Sequence, residues 1–187
     1  MTKLSTADLE MALITLGQLL QDKGFYYEVV AIGGGGLLLI GLMIRTTKDL
    51  DLVALIDRGE FISAKPLPNP LLQAIEEVAV AFNMNKDWVN IGPSDLLTLG
   101  LPNGFKSRMS TIRYEGLTIH LAGRFDQICF KLYAAVDQGP TSKHYGDLKY
   151  LQPNKTELEE ARRWCITHDT SEEFFKELET VINELSK

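Results

Sequence analysis

Cysteine is nearly missing from this sequence. Cys129 and Cys165 are the two among 187 residues, too few and too far apart for a disulfide framework, and they are expected to be reduced core thiols. Histidine is scarce as well: His120, His144 and His168 stand far apart with no paired spacing, which speaks against a zinc site. Long hydrophobic runs are missing too. The longest uncharged apolar stretch, Val29 to Ile44, covers 16 positions interrupted by Gly33–Gly36, short of the roughly 20 residues a membrane helix needs. No membrane span is expected. The opening MTKLSTADLE carries acids where a signal peptide would carry an apolar stretch, so a cytoplasmic location is expected.

What is there is the composition of an ordinary folded protein, 45% hydrophobic and 24% charged, which excludes disordered and collagen-like chains. The net charge of −6 is unevenly spread. Residues 1–104 hold 7 basic and 12 acidic side chains, residues 105–155 hold 8 and 4, and residues 156–187 hold 4 and 9. The acidic whole argues against broad nonspecific duplex binding, whereas the basic middle can meet phosphates. Solvated lysines on helix surfaces are the plainer account of any one of them.

Ser5 and Asp8 read as a capping box, followed by Leu9, Ala12, Leu13, Leu16, Leu19 and Leu20 at helical spacing up to Gly24. Tyr26 to Ile32 (YYEVVAI) reads as a strand running into the glycine run, and LLLI at 37–40 as a short buried helix. A second strand is expected over Asp49 to Ile56. Asn69-Pro70 opens a helix carrying Leu71, Leu72, Ile75, Val78, Ala79 and Phe82. The segment with Gly92-Pro93, Gly100, Pro102 and Asn103-Gly104 is rich in turn signals and is expected to hold short pieces of structure, and a hairpin is expected about Glu115-Gly116. From Arg124 on the chain reads as helices, with Thr156 and Glu159 capping one and Thr170 and Glu173 the last. The expected architecture is α/β (α+β): a core over 1–123 with a small mixed sheet flanked by helices, then a C-terminal helical region over 124–187.

A strand, a glycine run and a helix suggest bound phosphate, because glycine lets a ligand approach the backbone closely. Two familiar versions do not fit: no Gly-Lys-Ser/Thr follows the turn, and Leu38 or Leu39 stands where a dinucleotide fingerprint needs its third glycine or alanine. Tight packing of a helix on a strand explains the glycines equally well. Asp49-Leu50-Asp51 shifts that balance. Two carboxylates at i and i+2 of a strand lie on one face about 6.6 Å apart along the chain, and hard oxygen ligands with few protein partners suit Mg²⁺. The alternative, an exposed pair of acids at a sheet edge, fits poorly with the apolar Leu50, Leu52 and Val53 around them.

The block IGGGGLLLIGLMIRTTKDLDLV, Ile32 to Val53, resembles the signature of the polymerase-β-like nucleotidyltransferase superfamily: a Gly-Gly turn, a short helix, then Asp-x-Asp on the next strand. Arg45-x-Thr47 before the aspartates is similar to the small bacterial branch that contains the AbiEii-type toxins. FKLYAA at 130–135, KHYGDL at 143–148, LQP at 151–153 and ARRW at 161–164 resemble the second half of that branch.

The resemblance implies that Gly33 and Gly34 hold phosphates through backbone N–H groups and that Asp49 and Asp51 ligate Mg²⁺ (or Mn²⁺). It further implies that Arg45, Thr47 and Lys131 bind the nucleotide and that Asp147 acts as a general base or metal-linked acid. For Arg45 a surface ion pair, for Lys131 a core-edge lysine and for Asp147 a helix charge are the structural alternatives. The implied reaction moves a nucleoside monophosphate from a nucleoside triphosphate to an RNA acceptor, tRNA among them, or to a protein. An antitoxin protein is the implied partner if the chain is a toxin; a nucleotide- or RNA-binding relative without turnover is the alternative. Two departures stand out. LTIHLA at 117–122 offers Thr118 and His120 where a third acid is common, and His144 stands where relatives often have Asp.

Overall fold

The computed structural model describes residues 3–186. Two compact units emerge: one runs up to Leu101 and resumes at Phe105–Ala122, and the other holds Pro102–Gly104 and the chain from Gly123 on. The first is a mixed α/β unit with a small open sheet, the second is helical.

Helix α1 (Thr6–Asp22) begins at the expected capping box: the Ser5 hydroxyl accepts the Asp8 N–H, and the Asp8 carboxylate accepts the Ser5 N–H. The Ser5 hydroxyl, and then its N–H, hold the Asp8 carboxyl below the usual range. Strand β1 (Tyr27–Ile32) leads directly into α2 (Gly33–Leu39), and β2 (Leu50–Asp57) turns back through β3 (Glu60–Ile62). Next come α3 (Asn69–Ala81), β4 (Val89–Asn90), a 3-10 turn at Gly92–Ser94, α4 (Asp95–Leu99), α5 (Phe105–Arg108), and the hairpin of β5 (Ser110–Tyr114) and β6 (Leu117–Leu121). The sheet order is β3-β2-β1-β6-β5, with β4 joined in parallel to the start of β2. Strand β1 pairs antiparallel with β2 and in parallel with β6, so the sheet is mixed.

Its core lies on the face that packs against α1 and α3, where Leu9, Leu13, Leu16 and Ile75 meet Val29, Ala31, Leu52, Leu117, Ile119 and Leu121. Trp88 is fully buried there, its indole N–H donating to the Ile75 carbonyl at 3.1 Å. The α1 helix lies almost in contact with the hairpin backbone: a methyl on Gly17 would stand 1.9 Å from the Tyr114 carbonyl oxygen, and the Gly116 N–H donates to Gly17 O. Only a residue without Cβ permits that approach.

Two details differ from the sequence reading. The glycines lie inside α2 instead of forming a turn before it; apolar packing of Gly33–Leu38, all buried, outweighs their poor helix propensity. Leu72 and Phe82 of the α3 region are partly exposed while Leu71, Ala74, Ile75, Val78 and Ala79 form the buried stripe. The turn-rich segment holds, as expected, only short pieces of structure: β4, the 3-10 turn, α4 and α5.

In the helical unit, α6 (Arg124–Gln138) packs against α7 (Lys143–Leu151), α8 (Lys155–Cys165) and α9 (Glu172–Leu185). The caps of the last two fall earlier or later than expected. Asn154 with Glu157 forms the box of α8, and Ser171 caps α9, because each has the extended backbone a cap requires; Thr156 is already helical and Thr170 lies outside. Phe130, Tyr133, Trp164, His168 and Phe174 form an aromatic cluster, so His168 is a packing residue here. Both cysteines are buried thiols outside any disulfide. Among the described residues no helix is long and apolar enough to cross a membrane.

Candidate functional site

The site residues of the sheet unit converge at the junction of β1, α2 and β2. Gly33 has φ of +74°, which a side chain rarely adopts, and a methyl on it would lie 2.2 Å from Oδ2 of Asp51. At Gly34 the same methyl would meet the Thr47 hydroxyl at 3.1 Å and the Arg45 guanidinium at 3.8 Å; at Gly35 it would meet the Asp49 carbonyl at 2.8 Å. Gly33, Gly34, the side chains of Arg45, Thr47 and Asp51 and the backbone of Asp49 are thus gathered about the glycine run.

A bulge decides which way Asp51 points. Val30 pairs with Ala54 but Ala31 with Leu52, so Val53 is the extra residue on β2. Without it, strict alternation from the core residue Leu55 would turn Asp51 toward α1 and α3. With it, Leu50, Leu52 and Leu55 all enter the core and Asp51 faces the other side of the sheet. Asp49 lies one residue before the strand and is, like Asp51, half-buried.

The loop before Asp49 is held by backbone and hydroxyl. Thr47 and Leu4 exchange both N–H···O bonds, at 2.7 and 3.0 Å, and the buried Thr47 hydroxyl donates to the Asp49 carbonyl at 3.1 Å. Thr47 is therefore a residue that shapes the loop. Arg45 is exposed beside it.

Sequence reasoning passed over Asn90. It lies on β4 in register with Asp51, and its amide NH₂ donates to Asp51 Oδ1 at 2.7 Å while its carbonyl accepts the Gly92 N–H at 2.9 Å. The signal available was the apolar-polar-apolar triplet Val89-Asn90-Ile91 between Trp88 and Gly92-Pro93; the partner strand was not legible there. His120 is engaged at both ring nitrogens, 2.7 Å from Glu28 and 3.0 Å from the Thr111 hydroxyl.

Lys131 and Asp147 belong to the helical unit. Their charges form an ion pair of 2.7 Å between α6 and α7, with the side chains only 4% and 2% exposed. A recess of about 570 Å³ in that unit, lined by Pro153, Lys155, Leu158, Arg162, Ile182 and Asn183 among others, contains neither of them.

As a donor set, two half-buried carboxylates with hard oxygens fit a cation such as Mg²⁺ that retains waters and takes oxygens from a ligand. They do not make a closed protein cage: among the described residues no group of three or more His, Cys, Asp or Glu side chains is arranged around one point. Comparison of the chain with protein-family models, curated proteins and solved structures finds no match.

Proposed function

We propose that the chain is a Mg²⁺-dependent nucleotidyltransferase of the polymerase-β-like kind, acting in the cytoplasm on a nucleoside triphosphate and an RNA (tRNA among the candidates) or protein acceptor. The observation that carries the reading is the seating of Asp51 against Gly33, with Arg45 beside Gly34 and Asp49 immediately before the strand that holds Asp51.

In this reading the glycine run lets the phosphates approach the backbone, and Arg45 offers a guanidinium to their oxygens. Asp49 and Asp51 hold the cation, which when bound neutralises charge developing on the transferred phosphoryl group. The acceptor oxygen bonds to the α-phosphorus, pyrophosphate leaves, and the protein contributes position and electrostatics.

A second reading, a nucleotide-binding relative without turnover, is favoured by Asn90, a neutral amide beside Asp51 where another carboxylate would strengthen cation binding. Incubation with each of four α-labelled nucleoside triphosphates, Mg²⁺, and separated cellular RNA and protein tells the two apart. The transferase reading expects label in one fraction, lost with Asp51→Asn. Triphosphate binding without label in either fraction supports the second reading, and label in protein alone points to a toxin acting on a protein target.

A further inference from the structure

The side-chain amide of Asn90 can have only one orientation. Its oxygen accepts the Gly92 N–H, so its NH₂ must be the group facing Asp51 Oδ1; the flipped amide would set oxygen against oxygen on one side and N–H against N–H on the other. The turn at Gly92-Pro93 therefore aims the amide, the amide aims the carboxylate, and Oδ2 is left on the side of Gly33. Strand β4 consists of Val89 and Asn90, and it pairs with β2 at Leu50 and Asp51. That short strand has the effect of bringing one amide to one carboxylate.

We infer that Asn90 is a positioning residue for the cation site, an inference that rests on the nucleotidyltransferase reading: it fixes the rotamer of Asp51, and its neutrality keeps the site at two carboxylates. Groups that orient a ligating carboxylate typically govern 10–100-fold in metal affinity. An aspartate at this position would still accept the Gly92 N–H, but it would face Asp51 with like charge and so demand a cation between them.

The test is Mn²⁺ binding to the full chain, by calorimetry and by loss of the free-ion paramagnetic signal, together with melting temperature. Asn90→Ala is expected to weaken Mn²⁺ by about 10–100-fold. Asn90→Asp is expected to melt lower than the parent without metal, yet to bind Mn²⁺ at least as tightly and gain more stability from it. A merely structural asparagine would move melting temperature in both variants and leave the affinity alone. Mn²⁺ binding by the parent that is unchanged in Asn90→Ala overturns the role of Asn90 and leaves the cation site standing. No binding by the parent removes the cation site itself, and the role of Asn90 with it. Should Asn90→Ala not fold, the isosteric Asn90→Asp decides: weaker binding than the parent overturns the inference.

Discussion

Gly33 and Asp51 stand so close that a methyl on the glycine would lie 2.2 Å from the carboxylate Oδ2. Gly33→Ala therefore meets two separate penalties. The left-handed backbone at φ +74° costs a side-chain-bearing residue about 1–2 kcal/mol, and displacing a carboxylate already held by Asn90 adds an overpacking term of about 1–3 kcal/mol. Urea denaturation of Gly33→Ala, Asp51→Ala and the double variant separates them. The double variant is expected to recover the second penalty and keep the first; strict additivity would show that the close approach costs nothing.

Neutralising either aspartate has an opposite sign for folding and for function. Two carboxylates two residues apart repel each other without a cation. Asp49→Asn and Asp51→Asn should melt at the parent's temperature or higher in chelator, and only the parent should gain from added Mn²⁺. Thermal melting with and without the ion checks both halves.

The Lys131–Asp147 pair is nearly sealed from solvent. Lys131→Met leaves Asp147 buried without that cation and should destabilise by about 3–5 kcal/mol. The double variant Lys131→Met with Asp147→Leu should lose much less than the sum of the two singles, since an apolar pair of similar volume replaces the ions. Equilibrium denaturation of the three proteins measures the coupling; singles as mild as surface changes would mean that solvent reaches the pair.

Burial, with a smaller contribution from the neighbouring Cys129, pushes the Cys165 thiol above its ordinary value of 9.0. A raised value in the folded state means that the folded protein keeps a proton the unfolded chain gives up. The stability this confers is complete below about pH 9 and is lost progressively as the pH rises above it. Denaturation midpoints should fall from pH 8 to pH 10 more steeply in the parent than in Cys165→Ala. In the folded protein at pH 8 the thiol should resist Ellman's reagent and react on unfolding.

Much of this molecule was legible from local pattern. The Ser5–Asp8 box, the apolar stripe from Leu9 to Leu20, the hairpin about Glu115-Gly116 and the burial of Leu50 and Leu52 all follow from short-range chemistry, and the structure has them. What was not legible depends on partners distant in sequence. Alternation about Leu50 and Leu52 turns Asp51 away from the core, as the structure has it, but the bulge at Val53 that lets Leu55 enter the core as well exists only because β1 pairs with β2. Asn90 looked like one more polar residue among turns until β4 brought it beside Asp51, 39 positions away. Lys131, read either as a core-edge lysine or as a phosphate ligand, is paired with a carboxylate on the next helix, a partner the sequence does not single out. The caps of α8 and α9 were misplaced by one or two residues because Ser, Thr and Asn compete as neighbours there, and backbone angles choose among them.

The central claim is that Asp49 and Asp51 together serve nucleotidyl transfer, and pyrophosphate release tests it most directly. The full chain, Asp49→Asn and Asp51→Asn are each given the nucleoside triphosphates, Mg²⁺ and total cellular RNA or protein, and pyrophosphate is followed continuously. Rapid Mg²⁺-dependent release by the parent, lower by orders of magnitude in both variants, is the expected result. Equal rates in all three proteins, or no release above buffer from the parent with any triphosphate and either acceptor, would contradict the account.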